Sequence, residues 1–167
     1  MRGHRPEDLD DCAALWGDPE ITRHIGGRPF TREEVWARLL RYAGSWFWLG
    51  YGYWVVEETC TGQFVGEVGY ANLRREIQPP LGDLPELGWV LAAPFHGKGY
   101  ATEAIRTAIS WGDQKIASEQ SVCIIDPDNS RSIRVAEKCA FKELHRAAYQ
   151  GEAVIVFTRN TLSDRRV

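Results

Sequence analysis

The segment Pro94-Phe95-His96-Gly97-Lys98-Gly99-Tyr100-Ala101-Thr102-Glu103-Ala104-Ile105 carries the densest chemical signal in the chain. It sets two glycines and a lysine between an apolar, strand-like run and a run with helical spacing. Such a junction suits an anion, because the first turn of a helix has N–H groups without intrahelical acceptors and carries the positive end of the macrodipole. Glycine at 97 and 99 lets backbone approach a phosphate with no Cβ in the way, and Lys98 adds local positive charge. A strand-to-helix turn that needs glycine only for positive φ is the plainer alternative. A Walker loop is excluded, since Gly97-Lys98 is followed by Gly99-Tyr100 rather than by Ser or Thr. A dinucleotide fingerprint comes nearer: Gly97, Gly99 and Thr102 occupy its three spacings, and Asp126 lies where a ribose-binding acid belongs. Its third glycine is missing, and hairpins stand where further parallel strand–helix units are needed.

Other reactive side chains are dispersed. Cys12, Cys60, Cys123 and Cys139 lack the short paired spacing of zinc or redox motifs, so they read as reduced, mostly buried thiols and no metal is expected. His4, His24, His96 and His145 are scattered too, and only His96, inside the glycine loop, attracts a functional reading.

The elements that must position the loop follow from periodicity. Helical spacing runs from Glu7 to about Trp16 and from Thr31 to Tyr42, where Thr31 and Glu34 are spaced as a capping box. Gly50 to Val56 and Gln63 to Leu73 read as an antiparallel pair turning at Glu57 to Gly62. The Pro/Gly-rich stretch Gln78 to Pro85 leads to a third strand, Glu86 to Ala92. After the glycine loop, Ala101, Ile105, Ala108, Ile109, Gly112 and Ile116 mark one face of a long helix. Ser121 to Ile125 suits a buried strand, and strand–helix–strand in that order predicts a right-handed parallel crossover. Asp126 to Asn129 breaks the chain before a helix from Ser130 to Cys139. Phe141 to Ala147 and Ala153 to Arg159 form a hairpin around Gln150-Gly151, and the polar tail Leu162 to Val167 is expected to fray. The result is an α+β fold with a mixed, mostly antiparallel sheet flanked by helices.

With 167 residues, 44% hydrophobic, the chain is expected to form a single domain over 1–167. A net charge of −3 and a pI near 5.8 argue against nucleic acid as the main partner. No run reaches the length of a membrane span and Met1-Arg2-Gly3-His4 begins no signal sequence, so no membrane partner and a cytoplasmic location are expected.

Glu86-Leu87-Gly88-Trp89-Val90-Leu91 through Ala104, followed after a helix and strand by Asp126-Pro127-Asp128-Asn129-Ser130-Arg131-Ser132 through Leu144, resembles the GCN5-related N-acetyltransferase (GNAT) superfamily in its RimJ/RimL-like branch. The family's Gln/Arg-x-x-Gly-x-Gly/Ala motif reads here His96 to Ala101, and its Asn-x-x-Ser motif reads Asn129 to Ser132. The likeness runs from Pro6 to about Arg159. It implies the GNAT acyl-CoA N-acyltransferase fold and acetyl-CoA as cosubstrate. The pyrophosphate would rest on N–H groups from Gly97 to Thr102, among His96, Gly97, Lys98, Gly99, Tyr100, Ala101 and Thr102. The resemblance further implies a backbone N–H on the Glu86 to Ala92 strand that polarises the thioester carbonyl, assigned to Val90 or a neighbour. Asn129 is expected to cap its helix and touch the cofactor arm.

The implied reaction is direct attack of an amine on the acetyl thioester, which needs a neutral amine, a polarised carbonyl and a proton for the thiolate. Glu86 is the expected base, with Glu67 ranked below it. The tyrosine that many relatives use as acid falls at Ala136, so Ser132 is the expected donor or water-orienting group. His96 replaces the usual Gln or Arg, and Cys139-Ala140-Phe141 replaces a helix ending that prefers glycine. The chain also starts where relatives are finishing a first strand, which is therefore expected to be short or absent. The aromatics of Gly44 to Trp54 and Trp89 read first as core and second as an acceptor pocket. Arg74 and Arg75 are expected to be solvated, with attraction of an acceptor carboxylate as the alternative. The acceptor is a small-molecule or peptide amine, and a monomer or homodimer is expected. A noncatalytic acyl-CoA sensor and a dinucleotide oxidoreductase are the competing functions.

Overall fold

The computed structural model describes residues 1–161; the tail expected to fray, 162–167, lies outside the described residues. A 3-10 turn at Pro6–Asp8 leads into α1 (Leu9–Gly17), the single-turn α2 (Pro19–Thr22) and α3 (Arg32–Leu49). Then follow β1 (Tyr53–Glu57), β2 (Phe64–Ala71), β3 (Glu86–Leu91), α4 (Tyr100–Lys115), β4 (Gln120–Ile125), α5 (Ser130–Lys138), β5 (Lys142–Tyr149) and β6 (Glu152–Asn160). The strands form one six-stranded sheet in the order β1-β2-β3-β4-β6-β5. Only β3 and β4 pair in parallel among the described residues, so the mixed, mostly antiparallel α+β sheet expected from the pattern is the observed one.

The Thr31–Glu34 capping box forms as its spacing predicts: Glu34 N–H donates to Thr31 Oγ1 at 3.2 Å and Thr31 N–H to Glu34 Oε2 at 2.8 Å. The helix it starts runs past Tyr42 to Leu49, because Gly44 and Ser45 are tolerated inside it, and it ends where Gly50 turns left-handed at φ 72°. Half of the aromatic run is thereby helical. Trp46 packs edge-on against Trp54 and Trp111 and Tyr53 stacks on Tyr42, whereas Phe47 and Trp48 remain 81% and 80% exposed. The first strand is reduced to a single antiparallel bridge, Arg2 to Val55.

Buried clusters cover both sheet faces. On one, α4 sets Ile105, Ala108 and Ile109 against Val68, Tyr70, Leu87 and Leu91, joined by Cys123, Ile125 and Ala136. On the other, α1, α2 and α3 bring Cys12, Trp16, Ile21, Val35 and Leu39 onto Val90. Burial of each such large side chain contributes about 1.5–3 kcal/mol, which ties β3 into both layers. Cys12, Cys123 and Cys139 are buried free thiols, as expected, and Cys60 is exposed.

Candidate active site

The parallel pair β3–β4 is short. Glu86 is registered with Val122, and Val122 N–H donates to Pro85 O at 3.0 Å. Beyond that point β3 stays with β2 as far as Leu91 opposite Gly66, while β4 stays with β6 as far as Ile125 opposite Ile155. The strands therefore part toward their carboxyl ends and one edge of β3 faces a gap. Backbone groups alternate along a strand: Pro85 O faces β4, and Ala92 N–H faces β2, donating to Val65 O at 2.9 Å. By that alternation Leu87, Trp89 and Leu91 turn their N–H and C=O toward the β4 side, where the Leu87 N–H closes the Glu86–Val122 bridge and the groups beyond it face the gap, whereas Val90 turns its own toward β2. The N–H assigned to Val90 is thus corrected to its neighbours, with Trp89 nearest the middle of the free edge.

The glycine loop stands at the carboxyl end of β3. A 3-10 turn (Ala93–Phe95) precedes His96. Gly97 and Gly99 have φ of 75° and 91°, a region that costs a side-chain-bearing residue about 1–2 kcal/mol. A Cβ at either position would meet nothing within 4 Å, so the two backbones border open space. No side chain caps the N-terminus of α4, which leaves its first-turn donors at Tyr100, Ala101 and Thr102 without a protein cap. Lys98 Nζ lies 5.8 Å from the Phe95 ring. Tyr100 OH donates to Glu58, and that hydrogen bond raises the Tyr100 pKa. His96 does not reach into the loop: its Nε2 sits 2.8 Å from Leu91 O, so the ring fastens the loop to the free edge of β3.

On the other wall, β4 runs through Asp126 into α5. Asn129 caps this helix, its Oδ1 accepting from Ser132 N–H at 3.1 Å. Ser132 is half-buried in the first turn. Ala136, at the position of the family tyrosine, is fully buried in the core, so no phenol approaches from there.

The two carboxylates proposed from sequence are both engaged. Arg75 Nε donates to Glu86 Oε2 and its Nη2 to Oε1, each at 2.7 Å, and the guanidinium lies 4.7 Å from the Tyr149 ring. This corrects the expectation of Glu86 as a free base: a bidentate arginine occupies both oxygens. It also corrects the reading of Arg75 as solvated, while Arg74 pairs with Asp83 at the surface at 3.2 Å. Glu67, fully buried, accepts from His4 Nε2 (2.8 Å), Cys12 Sγ (3.2 Å), Trp16 Nε1 (2.8 Å) and Tyr42 OH (3.2 Å). Burial pushes its pKa up, but the hydrogen bond and charge of His4, with Trp16 and Cys12, outweigh this and hold it below the ordinary value. Burial and the Glu67 charge push the Cys12 thiol far up, so the cluster His4–Cys12–Glu67 is a hydrogen-bonded hub around a neutral thiol.

One contact at the site was not legible in the sequence. His24, just after α2, places Nδ1 2.5 Å from Asp126 Oδ2. The residues are 102 positions apart and share no motif, and in the sequence Asp126 reads only as a ribose ligand.

The model for the acetyltransferase (GNAT) domain matches residues 1–142, and the chain belongs to this family. The uncharacterized protein YkkB of Bacillus subtilis is 30% identical over 136 residues, 79% of this chain and 76% of that protein. A Bordetella pertussis protein assigned to the GnaT acetyltransferase family superposes with a TM-score of 0.82 at 25% identity, covering 95% of this chain and 93% of its own. The spermidine N-acetyltransferase of Vibrio cholerae, in complex with CoA and spermine, shares the fold at a TM-score of 0.74 and 17% identity, covering 96% and 94%. With a single parallel pair, the described residues do not form the doubly wound sheet that a dinucleotide site requires. No helix among the described residues is long and apolar enough to cross a membrane.

Proposed function

We propose that this protein, within the RimJ/RimL-like branch, transfers the acetyl group of acetyl-CoA to a primary amine, a protein N-terminus or a small molecule, by direct attack in a ternary complex. The observation that carries the reading is the parting of β3 from β4 beside the glycine loop. Backbone N–H groups from Gly97 to Thr102 receive the pyrophosphate, with Lys98 as a nearby positive charge. The pantetheine arm lies in the gap, where the Leu87 C=O, the Trp89 N–H and C=O and the Leu91 N–H pair with its amides as an added strand would. Trp89 N–H is aimed at the thioester carbonyl and stabilises the charge that develops on its oxygen. Asn129 and Ser132 border the arm from α5, and the Ser132 hydroxyl delivers a proton to the departing thiolate or orders the water that does. Glu86 enters as a positioning residue that joins the start of β3 to Arg75 and Tyr149. The Vibrio relative's complex with CoA and spermine supports both a CoA site on this fold and an amine as acceptor.

A sensor that binds acetyl-CoA without turnover is the second reading, favoured by Ala136 in the tyrosine position. Calorimetry with CoA, acetyl-CoA, NAD and NADP tests the site, and binding of acetyl-CoA but neither dinucleotide is expected. Thiol release is then measured with amino acids, peptide N-termini, polyamines and aminoglycosides. Release that depends on an amine supports transfer; binding with no release for any of them favours the sensor. No association with acetyl-CoA overturns both.

A further inference from the structure

The amine must lose a proton before it attacks, and both carboxylates near β3 are occupied. One histidine, paired across the gap, has a ring nitrogen covered only by an exposed arginine. His24 is carried by the segment after α2, whose Ile21 packs in the cluster containing Val90 and Ala92 on the β3 side. Its partner, Asp126, is the first residue beyond β4 on the other wall. Along β4, Cys123 and Ile125 pack in the α4 core, whereas Val122 and Ile124 pack on the opposite face. Alternation sets Asp126 on that second face, away from α4 and the glycine loop. The pair thus closes the carboxyl-end mouth of the gap from the side opposite the coenzyme's phosphates, the side left for an acceptor.

Its hydrogen bonds define the tautomer. Arg23 Nε donates to His24 Nε2 at 3.0 Å, which requires a lone pair on Nε2. The ring proton therefore sits on Nδ1 and is donated to Asp126 Oδ2. Asp126 Oδ1 accepts from Asp128 N–H at 2.8 Å, so both oxygens of the orienting carboxylate are held. Burial pushes the Asp126 pKa up, and the hydrogen bonds from His24 and Asp128 outweigh it, holding the group below its ordinary value. The imidazole is largely enclosed, with its side chain 17% exposed. Arg23, which covers Nε2, is 61% exposed and has Glu20 3.6 Å away as another partner. An arriving amine displaces a surface side chain, not a buried one.

We infer that His24 is the general base for the acceptor amine and that Asp126 is the residue that orients it. The inference rests on the acetyl-transfer reading of the same site. The alkylammonium form of the amine gives one proton to Nε2, and Asp126 stabilises the imidazolium that results. The freed lone pair forms the C–N bond at the thioester carbonyl carbon, the C–S bond breaks, and its electron pair leaves on sulfur. The second proton of the new ammonium passes to that thiolate by way of the Ser132 hydroxyl or the water it orders, giving amide and CoA thiol, and the imidazolium returns its proton to solvent.

The test compares wild type, His24→Gln, His24→Ala and Asp126→Asn with acetyl-CoA and the best acceptor of the amine panel above. His24→Gln is expected to lose about 10²- to 10⁴-fold in kcat/KM with acetyl-CoA affinity unchanged by calorimetry. The ascending limb of the wild-type pH–rate profile, set by His24 amid Arg23, Glu20, Asp126 and Asp128, should vanish in this variant. Imidazole should restore part of the rate of His24→Ala, and Asp126→Asn should lose less than His24→Gln. A His24→Gln protein that keeps both the wild-type rate and the limb overturns the inference and leaves acetyl transfer standing. A wild type that binds no acetyl-CoA, or acetylates no amine, overturns acetyl transfer and this inference with it. If the variants do not fold, ring-nitrogen NMR of the wild type decides: Nδ1–H on His24 supports the assignment and Nε2–H overturns it.

Discussion

Replacing Glu86 by Gln separates an ion pair from a catalytic base. The pair consists of two charge-assisted hydrogen bonds, both at 2.7 Å, between side chains 10% and 21% exposed. Breaking a fully buried pair costs about 3–5 kcal/mol. Partial exposure of Arg75 and the hydrogen bond that glutamine retains reduce this to roughly 2–3 kcal/mol. For a domain of this size each kcal/mol lowers Tm by about 2–4 °C, so a fall of roughly 4–12 °C is expected. Circular dichroism on wild type, Glu86→Gln, Arg75→Met and the double variant gives the coupling energy, expected to be about 1 kcal/mol or more. Acetyl-CoA turnover below the melting range should change far less than stability. A Glu86→Gln protein with wild-type Tm, zero coupling to Arg75 and turnover reduced about 10²-fold or more would return the residue to the role of base and refute the reasoning.

Gly99→Ala forces a left-handed residue at φ 91° and should weaken acetyl-CoA binding about tenfold, corresponding to ~1.4 kcal/mol, as read by calorimetry. Ser132→Ala should lower turnover with little change in that affinity. Ala140, left-handed at φ 65°, ends α5 with Phe141 N–H bonded to Ala136 O; Ala140→Gly should raise stability by about 1 kcal/mol in urea. The Glu67 carboxyl is held below its ordinary 4.5 in the folded protein, so its contribution is complete above that value and is lost as pH falls through the lower folded one. Urea midpoints followed down to about pH 3 should therefore decline, and Glu67→Gln should flatten the decline.

What the sequence determined by itself is local. The capping box at Thr31 and Glu34, the alternation of β2 and β3, the crossover from β3 through α4 to β4, and the two glycines before α4 depend on residues a few positions apart. Backbone geometry and hydrophobic spacing express them directly, and the family motifs rest on the same short-range patterns. α3 runs past the Tyr42 end that its spacing predicts: Gly44 and Ser45 weaken a helix locally, while Trp46, in its last turns, packs on Trp54 and Trp111. The tertiary structure decided who meets whom. Glu86 looked like a free acid until Arg75 folded back onto it, and His96 looked like part of the phosphate loop until its ring reached Leu91 O. Val90 lost its assigned role because the direction of an N–H depends on which neighbouring strand it pairs with. His24 and Asp126 carry no mutual signal in the chain; they meet only because α2 and the end of β4 pack against the two walls of one gap. A side chain's chemistry is set by partners that long-range packing delivers, and no short window of sequence contains them.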